Sequence, residues 1–520
     1  MKNFRREVAG ILFLISTVSL FGQTGKKYIP EYPKSKDAAR LPAGSVAGIN
    51  RLFGVQVDSI APDQTGMRNL TSVEFAKEMV PGWNVGNSLE ATGGETAWGN
   101  PKITQRLIDS IKAAGFRAIR IPVAWSRFTI DSTFSIDTTW MNRVEEVVNY
   151  VLNDSMYAII NEHWDGGWQQ PTYAQQTYVN NRLAAMWRQI AVHFRDYGDH
   201  LLFAGTNEVM VTNNYNTPIP EYYTVQNSFN QTFVTTVRST GGRNYYRFLL
   251  VQGFNTNINN TVSFFATPID MTANRLIVEV HYYDPYDFTI NTSSNITQWG
   301  KDATDPAKTE TWANESYTDG QFQKMKTNFI DKGFGVVLGE YGVIARLSLG
   351  SAALNTEYAG YRRYYMSYVT GSMFKHGLVP MYWDNGGTGN NSMGIFNRST
   401  GAQAYPDIVK AIMDAVDTTT VSSGIGEVSS MPKKYSLSQN YPNPFNPRTT
   451  ISYTLPRAST VTLKVYDLLA REIVTLVDNQ RKAAGSYEIP FDGSNLASGI
   501  YYYNLWTEGF RETKMMVLVK

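Results

Sequence analysis

From Ser72 onward the chain alternates two kinds of hydrophobic pattern. Short β-rich apolar runs occupy residues 82–86, 118–123, 157–163, 201–208, 247–253, 276–283, 336–342 and 379–385. Between them, apolar residues recur at three-to-four spacing over 104–114, 141–152, 181–197, 321–332 and 357–376, the period of helices with one buried face. Eight strands alternating with helices predict an α/β fold, a (β/α)8 TIM barrel over residues 72–416 with loop insertions. Runs such as Leu276-Ile277-Val278-Glu279-Val280 lack the alternation of a half-exposed strand and suit burial on both faces. A doubly wound open sheet is the alternative, but no glycine-rich nucleotide loop follows the first run, so its usual ligand site is missing.

The pattern changes after Asp417. Residues 417–434 are polar and small, the composition of a linker. Beyond them, period-two runs at 450–454, 460–466, 486–491, 499–506 and 513–519 predict a small C-terminal β-sandwich over 435–520. At the other end, Lys2, Arg5 and Arg6 precede a mostly apolar stretch from Val8 to Phe21, the layout of a signal peptide over 1–23. An uncleaved anchor is the alternative there, although the stretch is short for a membrane span, and no later segment is long and apolar enough for one. Residues 24–71 read as an irregular N-terminal extension.

Composition narrows the function classes. With 42% hydrophobic and 18% charged residues the chain is globular, and a net charge of +2 gives no electrostatic case for nucleic-acid binding. There is no cysteine, so an exported fold must rely on its core rather than on disulfides. The 11 Trp, 32 Tyr and 25 Phe exceed ordinary usage. Most must fill the core, yet such rings also suit a surface that stacks on sugars.

In a barrel, side chains that do chemistry sit where strands end at the carboxyl face. Those ends carry Arg120, the segment Asn161-Glu162-His163-Trp164-Asp165, Asn207-Glu208, His281-Tyr282-Tyr283, Glu340-Tyr341 and Trp383-Asp384-Asn385. Acidic residues close the fourth and seventh strands, Glu208 and Glu340, which face each other across a barrel mouth. Two facing carboxyls are what glycoside hydrolysis needs, one to protonate the leaving oxygen and one to meet the charge at the anomeric carbon. Either Glu alone would read as a solvated charge or a salt-bridge partner. Two of the chain's 5 His, His163 and His281, fall at strand ends as well. No HExxH-type spacing is present, and neither a metal nor an organic cofactor is expected.

The ordered motifs Gly82-Trp83-Asn84-Val85-Gly86-Asn87-Ser88-Leu89-Glu90, Thr96-Ala97-Trp98-Gly99-Asn100-Pro101, Arg120-Ile121-Pro122-Val123, Asn161 to Asp165, Asn207-Glu208, His281 to Tyr283 and Gly339-Glu340-Tyr341 resemble glycoside hydrolase family 5 endoglucanases. The resemblance spans the whole barrel. It implies a retaining enzyme with Glu208 as acid/base and Glu340 as nucleophile. By the same resemblance Arg120 and Tyr283 keep Glu340 ionised, Asn207 donates to a sugar 2-hydroxyl, His163 and His281 orient carboxyls and bind sugar, and Trp383 forms a stacking floor. Trp98, Trp164 and Trp168 are subsite or packing residues. Val209 and Trp164 depart from the family's usual aromatic or proline and its second histidine, which bears on substrate rather than on chemistry.

The segment Tyr435-Ser436-Leu437-Ser438-Gln439-Asn440-Tyr441-Pro442-Asn443-Pro444-Phe445-Asn446-Pro447 and the later Gly499-Ile500-Tyr501-Tyr502-Tyr503-Asn504-Leu505 resemble the C-terminal sorting domain of the type IX secretion system. A carbohydrate-binding module is the rival reading. Together the resemblances imply a secreted or cell-surface monomer whose partners are a β-linked polysaccharide and the type IX secretion machinery. Cellulose-type β-1,4-glucan leads as substrate, with xyloglucan, mannan and mixed-linkage glucan as alternatives, and a non-catalytic carbohydrate-binding surface protein as the alternative of another class.

Overall fold

In the computed structural model, eight parallel strands close into a barrel in sequence order. They are β1 (Gly82–Val85), β2 (Ala118–Ile121), β3 (Tyr157–Asn161), β4 (Leu201–Ala204), β5 (Leu249–Gln252), β6 (Leu276–Tyr282), β7 (Gly335–Tyr341) and β8 (Val379–Asp384). The structure describes residues 60–163, 166–417, 435–440, 442–468, 471–482 and 485–520. The signal-peptide reading, most of the N-terminal extension, Trp164, Asp165 and nearly all of the linker lie outside them.

The principal helices are α1 (Ser72–Glu78), α2 (Gln105–Ala113), α3 (Thr138–Asn153), α4 (Tyr173–His193), α5 (Pro220–Ser239), α6 (Ile258–Phe264), α7 (Tyr286–Thr289), α8 (Glu315–Asn328), α9 (Ala352–Lys375) and α10 (Pro406–Val416). Their apolar faces pack on the outward residues of the strands, such as Val278 and Val280 of β6 beneath the surrounding shell. The inward residues fill the lumen in layers. Toward the amino end these are apolar: Ala118, Ile159, Leu202, Leu250, Ile277, Val337 and Met381 form one cluster with Phe75, Ala76 and Met79. The last group comes from α1 and the residue after it, so α1 closes the lower mouth. It starts with a reciprocal Thr71–Glu74 capping box and is tied to β7 by the Gly335 amide donating to Ser72 Oγ at 2.9 Å.

One inward step toward the carboxyl end, the lumen turns polar. Asn84, Arg120, Gln252 and Glu279 are all fully buried there. Groups of this kind remain in a core only when partners replace water, so their positions mark a built network. Strand 4 ends at Ala204, four residues before Glu208, although the apolar pattern extends the strand to that residue. Gly205 turns the chain against Phe233, and the Thr206 amide and hydroxyl both donate to Gln252 Oε1, at 3.1 and 2.9 Å. Asn207 and Glu208 therefore stand on a pinned turn rather than on the strand.

The chain divides into two compact units between Asp417 and Thr418. The second is antiparallel, with a sheet of order β13-β10-β9 and one of order β12-β11-β14-β15. Its strands are β9 (Ser436–Leu437), β10 (Arg448–Leu455), β11 (Ser459–Tyr466), β12 (Glu472–Lys482), β13 (Gly485–Asp492), β14 (Gly499–Thr507) and β15 (Phe510–Leu518). Ile451, Tyr453, Val461, Leu463, Tyr503 and Leu505 lead its core, supplied by alternate positions along the strands.

Candidate active site

The polar layer of the lumen supports a cluster at the carboxyl mouth. Arg120, on β2 with no exposed side-chain surface, reaches four partners at once. Its Nη1 donates to Glu340 Oε1 at 2.9 Å and to Asn84 Oδ1 at 3.0 Å, its Nη2 donates to Asn207 Oδ1 at 2.6 Å, and its Nε lies 2.8 Å from Glu279 Oε1. Asn84 is itself fixed by donating to the Gly339 carbonyl at 2.8 Å. The planar guanidinium supplies several donors in set directions, which an ammonium could not do.

Glu340 sits on β7, where the register with β6 shifts between Val280 and His281 and that with β8 shifts between Leu338 and Tyr341. Strand alternation puts Gly339 against Glu279 in the lumen, so the irregularity is what lets the next residue also face the site. The Glu340 carboxylate is 5% exposed and accepts from the Tyr283 hydroxyl at 3.2 Å in addition to Arg120. Burial pushes its pKa up, against the pull of His281 and Arg120. The same burial, with Glu340 close by, raises the Tyr283 phenol well above its usual value and keeps it a donor.

Glu208 is the open partner, with a side chain 41% exposed. Its Oε1 lies 2.7 Å from His281 Nδ1, which is also 3.7 Å from Glu340 Oε2. Burial opposes a charge on His281, but the carboxylates of Glu340, Glu208 and Glu279 outweigh it and push its pKa up to about 9. His281 is therefore a cation that donates to Glu208. His163 has the opposite character: burial, then the charges of Arg120 and His281, hold it well below the ordinary histidine value. It is set by Asn161 at 3.1 Å and lies parallel to Trp383, with ring centroids 5.9 Å apart. Trp383 is in turn seated over Gly86, where a Cβ would meet its ring at 2.7 Å.

The structure thus brings Arg120, Asn207, Glu208, His281, Tyr283 and Glu340 into one connected cluster, with His163 and Trp383 stacked as a pair. Trp98 is 44% exposed, while Trp168 lies under the Arg182 guanidinium at 4.5 Å. Sequence reasoning missed Asn84 as a support, and also Gln252 and Glu279. A charged residue inside the otherwise apolar run of β6 was the available signal for Glu279. Among the described residues, the one group of acid and histidine side chains whose ligand atoms all lie within 4.8 Å of one another is Glu208, His281 and Glu340.

Comparison with known proteins identifies the family of the barrel. Residues 84–389 match the family model for cellulase, glycosyl hydrolase family 5. The chain belongs to glycoside hydrolase family 5. The enzyme is 40% identical to endoglucanase A of Paenibacillus barcinonensis, over 72% of this chain and 98% of that one. It is 44% identical to a xyloglucan-specific endo-β-1,4-glucanase of Bacteroides ovatus, over 69% of this chain and 73% of the relative. Among solved structures, a family 5 xyloglucanase of Bacteroides ovatus in complex with an XXXG heptasaccharide matches with 42% identity and a TM-score of 0.66, covering 70% of this chain and 81% of that one. Residues 439–519 match the secretion system C-terminal sorting domain. This family 5 enzyme is a retaining glycoside hydrolase of endoglucanase type, secreted or held at the cell surface, with a C-terminal type IX sorting domain. No helix among the described residues is long and apolar enough to cross a membrane.

Proposed function

We propose that Glu340 and Glu208 carry out an internal double displacement on β-1,4-glucan chains, acting as nucleophile and acid/base. The observation that carries this reading is their closeness: an oxygen of each lies within 4.8 Å of the other, which fits the short carboxyl separation of retaining enzymes and not the wider gap of inverting ones. Glu340 attacks the anomeric carbon as the glycosidic C–O bond breaks, and Glu208 gives its proton to the departing oxygen. Glu208 then takes a proton from a water that attacks the same carbon, and Glu340 leaves as a carboxylate.

The surroundings suit these roles. Arg120 and Tyr283 hold Glu340 ionised in spite of burial. His281 steadies Glu208 in both protonation states, since a bond to one oxygen leaves the other free to carry the proton. Arg120 takes the oxygen of the Asn207 amide, which turns its nitrogen outward as a donor for the sugar 2-hydroxyl. Trp383 and His163 offer a flat apolar face and a neutral ring for a bound sugar. We propose that the protein acts as a monomer.

Xyloglucan is the second reading for the substrate. It is favoured by the relatives at 44% and 42% identity, named as a xyloglucan-specific endo-β-1,4-glucanase and a family 5 xyloglucanase. A panel of carboxymethyl-cellulose, xyloglucan, glucomannan and xylan separates the two. Comparable kcat/KM on cellulose derivative and xyloglucan supports a broad endoglucanase, and turnover confined to xyloglucan supports the second reading. Release of product with an inverted anomer would overturn the shared mechanism.

A further inference from the structure

Beneath the two carboxylates lies a third, Glu279, which has no exposed surface. Its Oε1 is 2.8 Å from Arg120 Nε and 3.5 Å from His281 Nε2, and its Oε2 accepts from Gln252 Nε2 at 2.6 Å. It therefore touches the two cations that contact the reacting pair, Arg120 at Glu340 and His281 at Glu208. Gln252 also holds Thr206, two residues before Glu208, so the same carboxylate supports the acid/base turn. Space for it is reserved by Gly339, where a Cβ would lie 2.1 Å from Glu279 Oε1.

The charge count in this buried layer changes during the reaction proposed above. Before attack, the cations Arg120 and His281 face the anions Glu279 and Glu340. In the covalent intermediate Glu340 is an ester and carries no charge, while Glu208, having given up its proton, is the carboxylate beside His281; of its two ion pairs Arg120 then keeps the one to Glu279. Stranding a buried cation without its partner is strongly unfavourable. Glu279 forms no bond to the sugar and stays anionic throughout, and the Arg120 and His281 charges outweigh burial to hold its pKa down.

We propose that Glu279 is a positioning residue, the permanent counter-ion that keeps Arg120 and His281 in place while Glu340 is esterified. The inference rests on the assignment of Glu340 as nucleophile. The groups facing His281 are Glu208 from the turn after β4, Glu340 from β7, Glu279 from β6 and His163 beyond the end of β3, with Arg120 of β2 on the same Glu279 oxygen.

The test is Glu279→Gln in the full-length enzyme, with kcat and KM on soluble glucan, thermal melting, and histidine ring NMR. Displacement of the reacting groups predicts a fall in kcat of about 10²-fold with little change in KM. Loss of a nearby anion predicts that the His281 pKa falls by about one unit or more. Glu279→Asp, which keeps the charge, is expected to recover part of kcat and to leave His281 protonated at neutral pH. Wild-type kcat and an unmoved His281 titration in Glu279→Gln would overturn the proposal, as would an Asp variant no better than Gln. If Glu279→Gln does not fold, a wild-type or Asp-variant His281 that titrates at the ordinary histidine value overturns it. Glu340→Gln, run alongside, separates the layers: if that variant keeps turnover, the nucleophile assignment fails rather than the role of Glu279.

Discussion

In the lower lumen, Ile159, Leu202, Leu250 and Ile277 meet with no polar group to satisfy, and packing alone decides their energy. Two residues further along the same strands stand Asn161, Gln252 and Glu279, in a layer where each atom must find a specific partner. The strands are continuous, and alternation brings both sets inward. What differs is what a loss would do. Removing a lower residue leaves a cavity, which costs stability but touches no reacting group. Removing an upper one leaves a charge unpaired and moves a carboxylate, which costs turnover even when the barrel stands. The lower layer provides the rigidity on which the upper layer's positions depend.

That division can be broken by substitution, and the largest effect is expected at the mouth. Glu340→Gln should lower kcat by about 10⁴- to 10⁶-fold, the range produced by losing one member of a covalent catalytic unit, with the barrel still folded in thermal melting. A stable variant that retains turnover would remove the nucleophile assignment. Ile159→Ala in the lower layer should cost about 2–5 kcal/mol of stability while the folded fraction keeps its kcat, measured by denaturant unfolding and active-site-normalised kinetics. A lost kcat there would mean that the layers are not separable.

Gly339→Ala sits at the boundary and should mix the two outcomes. Its Cβ would overlap Glu279 Oε1, so about 1–3 kcal/mol of stability and part of kcat should fall together. Unfolding and rate measurements on the one variant check this, and an unchanged kcat would argue against a fixed Glu279. The smallest effects should appear in pH dependence. Because burial raises the Glu340 pKa, the acid limb of kcat/KM should lie above 4.5. His281 is shifted upward from 6.5 to about 9, so its contribution to stability is complete below 6.5 and is lost as pH rises through about 9. A melting series across that window should decline toward its alkaline end; a rise would contradict a cationic His281.

The barrel was legible because its strands are apolar on both faces and its helices are periodic. α5 escaped notice because its buried face includes Gln226 and Asn230, which donate to the Gln252 carbonyl at 2.5 and 2.8 Å. A face that serves hydrogen bonding does not read as an apolar stripe. β12 was missed for the opposite reason: it is an edge strand, largely exposed, with little to hide. At the site, strand-end polarity led to Glu208, Glu340, Arg120 and His281, while motif resemblance supplied the roles. Pairing across the lumen was legible only where the resemblance supplied it, as for Arg120 and Tyr283 with Glu340. That Arg120 also joins Asn84, Asn207 and Glu279 depends on five chain segments meeting, and no spacing along the sequence encodes it.

The account turns on a covalent bond to Glu340. Incubating the full-length enzyme with an activated 2-deoxy-2-fluoro cello-oligosaccharide, which forms the intermediate but releases it slowly, and mapping the labelled peptide by mass spectrometry tests it directly. One sugar adduct per chain on the peptide containing Glu340, absent in Glu340→Gln, is the predicted result. An adduct on Glu208, or hydrolysis of natural substrate to an inverted product with no adduct formed, would contradict it.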